Sequence, residues 1–274
     1  MGSYVILELC PKLFYRIILF FIHNVLWLMA KSVSFWSSVK RWYVAATELG
    51  PLANRYNNCW REVKTLRHAA RMLTKIPKHT VIVLTNENDI STESLANCVT
   101  WSVCCGTLYV TLYDKKGNLL LCQDEIKSQV LRKLKTLLGD DFVKYSLIFK
   151  DSSSSYGNGY VHTTGVCVQV ISEDDCRKDI VDVSKQILEQ IDSQLIDDSD
   201  IDSSLINSKL NAIKGLPDPD LAIQFGSIQF LDGCLPWQMR LTEIVSLESC
   251  RNIHVDDFVT CLRRFSKCEQ RFGK

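Results

Sequence analysis

Residues 80–113 read TVIVLTNENDISTESLANCVTWSVCCGTLYVTLY, and the order of patterns in this stretch decides the fold. It opens on Thr80–Leu84 (TVIVL), a β-branched run with no polar alternation, which predicts a strand covered on both faces. From Thr92 to Cys105 the apolar residues fall at helical spacing, and Leu108–Tyr113 (LYVTLY) returns to strand character. The alternation continues downstream. A helix over Gln123–Leu138 is stopped by Gly139, a strand covers Gly165–Ile171 (GVCVQVI), and a helix covers Cys176–Gln194. Short apolar runs follow at Leu221–Ile223 and Glu243–Leu247, and a last helix runs from Asp256 to Gln270. Short buried strands alternating with helices predict an α/β fold, a mainly parallel β-sheet surrounded by helices.

Upstream, Leu52–Ile76 carries Leu52, Tyr56, Cys59 or Trp60, Val63, Leu66, Ala70 and Leu73 at helical spacing, with Pro77 as the expected stop. Its other face holds Arg55, Arg61, Lys64, Arg67, Arg71 and Lys75. That is the pattern of a solvated face or, alternatively, of one lying on anionic headgroups. Nearer the N-terminus, Leu13–Ala30 (LFYRIILFFIHNVLWLMA) is apolar apart from Arg16 and the central His23-Asn24. At ~1.5 Å per residue it nearly crosses a hydrocarbon layer of about 30 Å. Arg16 can snorkel, Trp27 and Trp36 suit an interface, and Ala30-Lys31-Ser32 is a poor cleavage site for a signal peptide. The expectation is a membrane helix with its flanks over 1–43, an interfacial or buried core helix being the alternative, and a globular domain over 44–274. The flanking charges (Lys12 and Arg16 before, Lys31, Lys40 and Arg41 after) lean toward a cytosolic C-terminal side.

A formal charge of +1 provides no field to recruit nucleic acid, and none is expected as a partner. The twelve cysteines include no Cys-x-x-Cys pair, so neither a zinc site nor a redox motif is expected. Cys261 and Cys268, seven apart, are expected on one helical face as small buried hydrophobes, with the thiols free and reduced. The serine-rich Asp151–Gly159 and acidic Asp197–Ser204 segments read as surface loops. The acidic one lacks the glycine and terminal glutamate of a calcium loop, so no metal is expected there. Nucleotide, nucleophile-elbow and zinc-protease signatures are all absent.

The segment Pro217–Leu247, PDPDLAIQFGSIQFLDGCLPWQMRLTEIVSL, and the ending CLRRFSKCEQRFGK resemble the Nogo-B receptor family. Those proteins are accessory subunits of eukaryotic dehydrodolichyl diphosphate synthase, related to the cis-prenyltransferases. The resemblance covers roughly Trp60 to Lys274. Its most specific elements are Pro-Asp-Pro-Asp-Leu, Leu-Pro-Trp, Arg-Leu-Thr-Glu-Ile and Arg-x-Gly-Lys. It implies a cis-prenyltransferase-like domain over 44–274, held at the endoplasmic reticulum membrane with the domain on the cytosolic side. The implied complex makes long-chain polyprenyl diphosphate from farnesyl and isopentenyl diphosphate for dolichol synthesis and protein glycosylation. A separate catalytic subunit would be the partner and would hold the Mg²⁺ cofactor. The C-terminal strand and helices would form the interface.

Compared with catalytic members, Thr85 stands where the metal-binding aspartate belongs, Asn86 where a glycine belongs and Asp89 where an arginine belongs. Counted from Asp220-Leu221, Gln224 and Phe230 replace the two arginines that grip isopentenyl diphosphate, and Ile228 replaces the glutamate. The resemblance therefore implies a chain inactive alone, with no metal ligand of its own. Arg271 and Gly273 match the Arg-x-Gly motif that reaches the isopentenyl diphosphate site of the partner in trans. Glu243 corresponds to an acid near the metal in homomeric enzymes, or else makes a structural hydrogen bond. The competing reading is a membrane receptor or scaffold on a degenerate fold, which has no use for Arg271 and Gly273.

Overall fold

A computed structural model of the chain describes residues 53–86, 89–139, 146–150, 165–226 and 231–269. Residues from Cys59 onward make one compact unit. The Leu13–Ala30 run and the 43/44 boundary lie outside the described residues. Among the described residues, no helix is long and apolar enough to cross a membrane.

The helices are α1 (Ala53–Met72), α2 (Thr92–Cys105), α3 (Asn118–Leu121), α4 (Gln123–Leu138), α5 (Glu173–Asp192), α6 (Ser203–Lys214) and α7 (Val255–Lys267). The strands are β1 (His79–Leu84), β2 (Tyr109–Asp114), β3 (Ser146–Lys150), β4 (Gly165–Ile171), β5 (Leu221–Phe225) and β6 (Glu243–Leu247). They form one sheet in the order β3-β4-β2-β1-β5-β6, and every pairing is parallel. The expected α/β architecture is present.

Alternate residues of each strand serve two cores, as the period of two requires. On one face Ile82, Leu84, Val110, Leu112, Ile223 and Phe225 meet α2, α4 and α7, where Trp101 packs 5.7 Å from the Phe258 ring. On the other, Val81, Val83, Tyr113, Ile171 and Ala222 meet Cys176, Cys234, Leu235 and Met239. α6 pairs with α5 through Val183, Ile187 and Leu210. Burial on both faces explains why the strands read as continuous apolar runs.

Several ends depart from the sequence expectation, for local reasons. α5 begins at Glu173 rather than Cys176 because Ser172 and Asp175 close a reciprocal capping box. α1 stops at Met72 rather than at Pro77. Leu73 still donates to Ala69, but the N–H of Thr74 leaves the helix for Ser266 Oγ. α7 stops at Lys267, so Cys268 lies beyond the helix in extended backbone and does not share a helical face with Cys261. Asp202, in the segment expected as an acidic loop, caps α6 by accepting from Leu205 N at 2.8 Å. Among the described residues, the cysteines Cys98, Cys105, Cys122, Cys167, Cys250, Cys261 and Cys268 are free thiols.

The strand order locates a site. β1 leads to β2 on one side, whereas its neighbour β5 leads to β6 on the other. Connections that part in this way leave a crevice beyond the carboxyl ends of the two strands, where ligands of parallel α/β sheets bind.

Candidate functional site

Thr85 and Gly226 stand at this crevice, one residue past β1 and β5. Both the N–H and the hydroxyl of Thr85 donate to the Phe225 carbonyl, each at 3.0 Å. Gly226 has φ +141, and a Cβ built on it would lie 2.0 Å from Thr85 Oγ1. Only a residue without a side chain fits against the hydroxyl. The corner is therefore closed by Thr85 itself.

Asn86 is exposed, whereas Asp89 is buried. Its carboxylate accepts from Ser249 Oγ at 2.8 Å and from Cys250 N at 2.7 Å, with Arg251 Nε at 3.5 Å. Asp89 thus braces the turn between β6 and α7. Burial, reinforced by this carboxylate, pushes the Cys250 thiol up to about 12. Gln224 is fully buried, with its Oε1 3.4 Å from the Ser246 hydroxyl. It meets Ser246 on the neighbouring strand β6.

A magnesium ion requires anionic oxygens facing an open position. Here the hydroxyl is committed to Phe225 and the Asp89 carboxylate is turned to the β6–α7 turn, so these residues do not fit the ion. Among the described residues, no three His, Cys, Asp or Glu side chains gather as a metal site.

The motifs that carried the resemblance lie mostly at the opposite, amino edge of the sheet. Asp220 Oδ2 accepts from the N–H groups of Lys78 (2.7 Å) and His79 (3.1 Å), and Thr242 Oγ1 donates to the Pro219 carbonyl at 2.8 Å. Trp237 Nε1 donates to Asn207 Oδ1, and Arg240 stacks on the Trp237 ring while reaching the same oxygen at 3.1 Å. Glu243 Oε2 accepts from the Cys268 thiol at 3.1 Å, which makes its described role a structural hydrogen bond. These motifs frame the fold.

Sequence reading missed a buried polar chain across the same edge. Gln169 Nε2 donates to Thr111 Oγ1 (2.8 Å), Thr111 lies 2.8 Å from His79 Nε2, and His79 Nδ1 lies 2.7 Å from the Pro217 carbonyl. The carbonyl only accepts, so Nδ1 donates to it; in the neutral imidazole the Thr111 hydroxyl then donates to Nε2. A β-branched hydroxyl inside an apolar run was the available signal. Of the other expected site residues, Ile228, Phe230, Arg271 and Gly273 lie outside the described residues.

Residues 150–273 match the family described as putative undecaprenyl diphosphate synthase. The dehydrodolichyl diphosphate synthase complex subunit Nus1 of Mus musculus is 35% identical over 209 residues, 76% of this chain and 69% of that protein. The human subunit is also 35% identical over 209 residues, 76% of this chain and 70% of its own. The Schizosaccharomyces pombe subunit is 24% identical over 257 residues, covering 92% and 98%. Among solved structures, lavandulyl diphosphate synthase from Lavandula x intermedia in complex with dimethylallyl diphosphate superposes with a TM-score of 0.51. It is 17% identical and covers 73% of this chain and 99% of that one.

The sheet order and its superposition define a cis-prenyltransferase fold, here with a hydroxyl at the switch-point corner. Within that class the chain belongs to the Nus1 family of dehydrodolichyl diphosphate synthase complex subunits.

Proposed function

We propose that this chain is the non-catalytic, membrane-anchored subunit of a heteromeric cis-prenyltransferase. The complex would condense isopentenyl diphosphate repeatedly onto farnesyl diphosphate, giving dehydrodolichyl diphosphate for dolichol synthesis and protein glycosylation. The observation that carries this reading is the closed corner: Thr85 donates to Phe225 and fills the place against Gly226 where a carboxylate and a metal would be needed. The names of the relatives, subunits of a synthase complex, support a partner that does the chemistry.

In this reading Mg²⁺ and the allylic diphosphate belong to the partner, and the C-terminal strand and helices form the interface. Arg271 and Gly273 serve the partner's isopentenyl diphosphate site, the arginine as a two-pronged donor and the glycine as an unobstructed N–H. Residues 1–43 anchor the complex in the endoplasmic reticulum membrane, with the domain in the cytosol.

The test is incorporation of isopentenyl diphosphate by the purified full chain, alone and with the catalytic subunit, both recovered from a carbonate-resistant membrane fraction. No turnover alone and full turnover together are expected. Magnesium-dependent turnover by the chain alone would overturn the reading, and full extraction by carbonate would overturn the anchor. Unchanged turnover by the catalytic subunit with and without this chain would instead favour a scaffold.

A further inference from the structure

The end of α7 is gripped by residues from two other parts of the chain. Thr74, in the α1–β1 connection, donates its backbone N–H to Ser266 Oγ and its hydroxyl to the Ser266 carbonyl, each at 2.9 Å. The Ser266 hydroxyl is then left to donate back to Thr74 Oγ1 at 2.8 Å. Lys75 Nζ donates to the Cys268 carbonyl at 2.5 Å and sits 4.5 Å from the centroid of the Phe265 ring. From the other side, the Cys268 thiol donates to Glu243 Oε2. The hydrogen bond to that carboxylate, followed by desolvation and the carboxylate's charge, pushes the thiol above its ordinary range and keeps it a donor.

Ending a surface helix needs much less than this. The last carbonyls of a helix can be satisfied by water, and a lysine near them already favours the negative end of the helix dipole. Here five hydrogen bonds converge on Ser266 and Cys268. Cys268 itself is extended, with φ −73 and ψ 124, so the chain leaves α7 in one defined direction. Arg271 follows three residues later, and so short a span keeps residue 271 within about 11 Å of Cys268.

Resting on the reading that Arg271 and Gly273 serve a diphosphate site in trans, we propose that Thr74 and Lys75, with Glu243, are positioning residues. They fix Ser266–Cys268 so that the residues beyond depart from one point toward the diphosphate. They act through the backbone they hold and touch no substrate.

The experiment compares reconstituted complexes containing the full wild-type chain, Thr74→Val/Lys75→Met, Lys75→Arg and Arg271→Ala. The double variant should assemble as wild type and raise the KM for isopentenyl diphosphate roughly ten-fold, as expected for a misplaced contact. The KM for farnesyl diphosphate should not move, and hydrogen exchange should speed only around residues 265–269. Lys75→Arg, which keeps a cation for the carbonyl and the ring, should stay near wild type. An unchanged KM for isopentenyl diphosphate in the double variant, with Arg271→Ala impaired, overturns the positioning role and leaves the Arg-x-Gly reading standing. A silent Arg271→Ala overturns that reading and the aiming role with it. Lost assembly, or a rise in both KM values, also overturns the proposal, because the grip is then a general brace.

Discussion

Thr85 and Gly226 form an interlocked pair. With a Cβ at residue 226 falling 2.0 Å from Thr85 Oγ1, Gly226→Ala must displace the hydroxyl from Phe225 and also place alanine at φ +141. Strain of this kind costs about 1–3 kcal/mol, and the broken hydrogen bond adds about 1 kcal/mol. Urea unfolding should report a loss of roughly 2–4 kcal/mol for Gly226→Ala. Adding Thr85→Ala to Gly226→Ala should recover part of it, because the clash goes while the backbone strain stays. Equal losses in the single and double variants would mean that the contact does not matter. Sequence comparison flagged Thr85 as a missing ligand. That its hydroxyl fills the vacated place depends on β1 and β5 lying side by side, which no local pattern states.

At the scale of elements, the polar chain from Gln169 through Thr111 and His79 to the Pro217 carbonyl ties β4, β2 and β1 to the approach to β5. Thr111→Val keeps the shape and removes both the acceptor for Gln169 and the donor for His79. Leaving buried polar groups unpaired costs about 1–3 kcal/mol, and urea unfolding should detect a loss in that range. A neutral Thr111→Val would mean that water replaces the hydroxyl. The strands and α4 were legible because burial on two faces and helical spacing are printed in the apolar residues themselves. β3 was not expected: Ser146–Lys150 is an edge strand, half-exposed, without a long apolar run. The ends of α1 and α7 were not legible either. They are set by each other, through Thr74 and Ser266, 192 positions apart. The acidic opening of α5 was misjudged because apolar periodicity begins only at Cys176, while its cap is polar.

For the whole molecule, the buried thiols set an alkaline limit. Burial raises Cys105 and Cys261, like Cys250, from 9.0 to about 12, and raises Cys98 well above 9.0. The folded state holds these protons more tightly than the unfolded chain does. Their contribution is therefore complete below pH 9.0 and is lost as pH rises toward 12. Each thiol adds a slope of up to about 1.4 kcal/mol per pH unit in that window. Urea midpoints should fall between about pH 9 and about pH 11, and Cys261→Ala should flatten the fall by one thiol's share. A flat profile would mean that these sulfurs reach water in the native state.

The separation of the two sheet edges has a consequence for descent. β1 spans six residues, so the frame at its amino edge and the corner at its carboxyl edge are about 20 Å apart. Changes that erase a reaction at one end are invisible to the contacts that hold the other. On the proposed reading, a duplicated gene could thus change at the corner while the contacts at the amino edge stayed intact. Placing an aspartate at position 85 would set its carboxylate against the Phe225 carbonyl in a space shaped for a hydroxyl. On the proposed reading, two chains that have divided the work in this way cannot readily resume it separately.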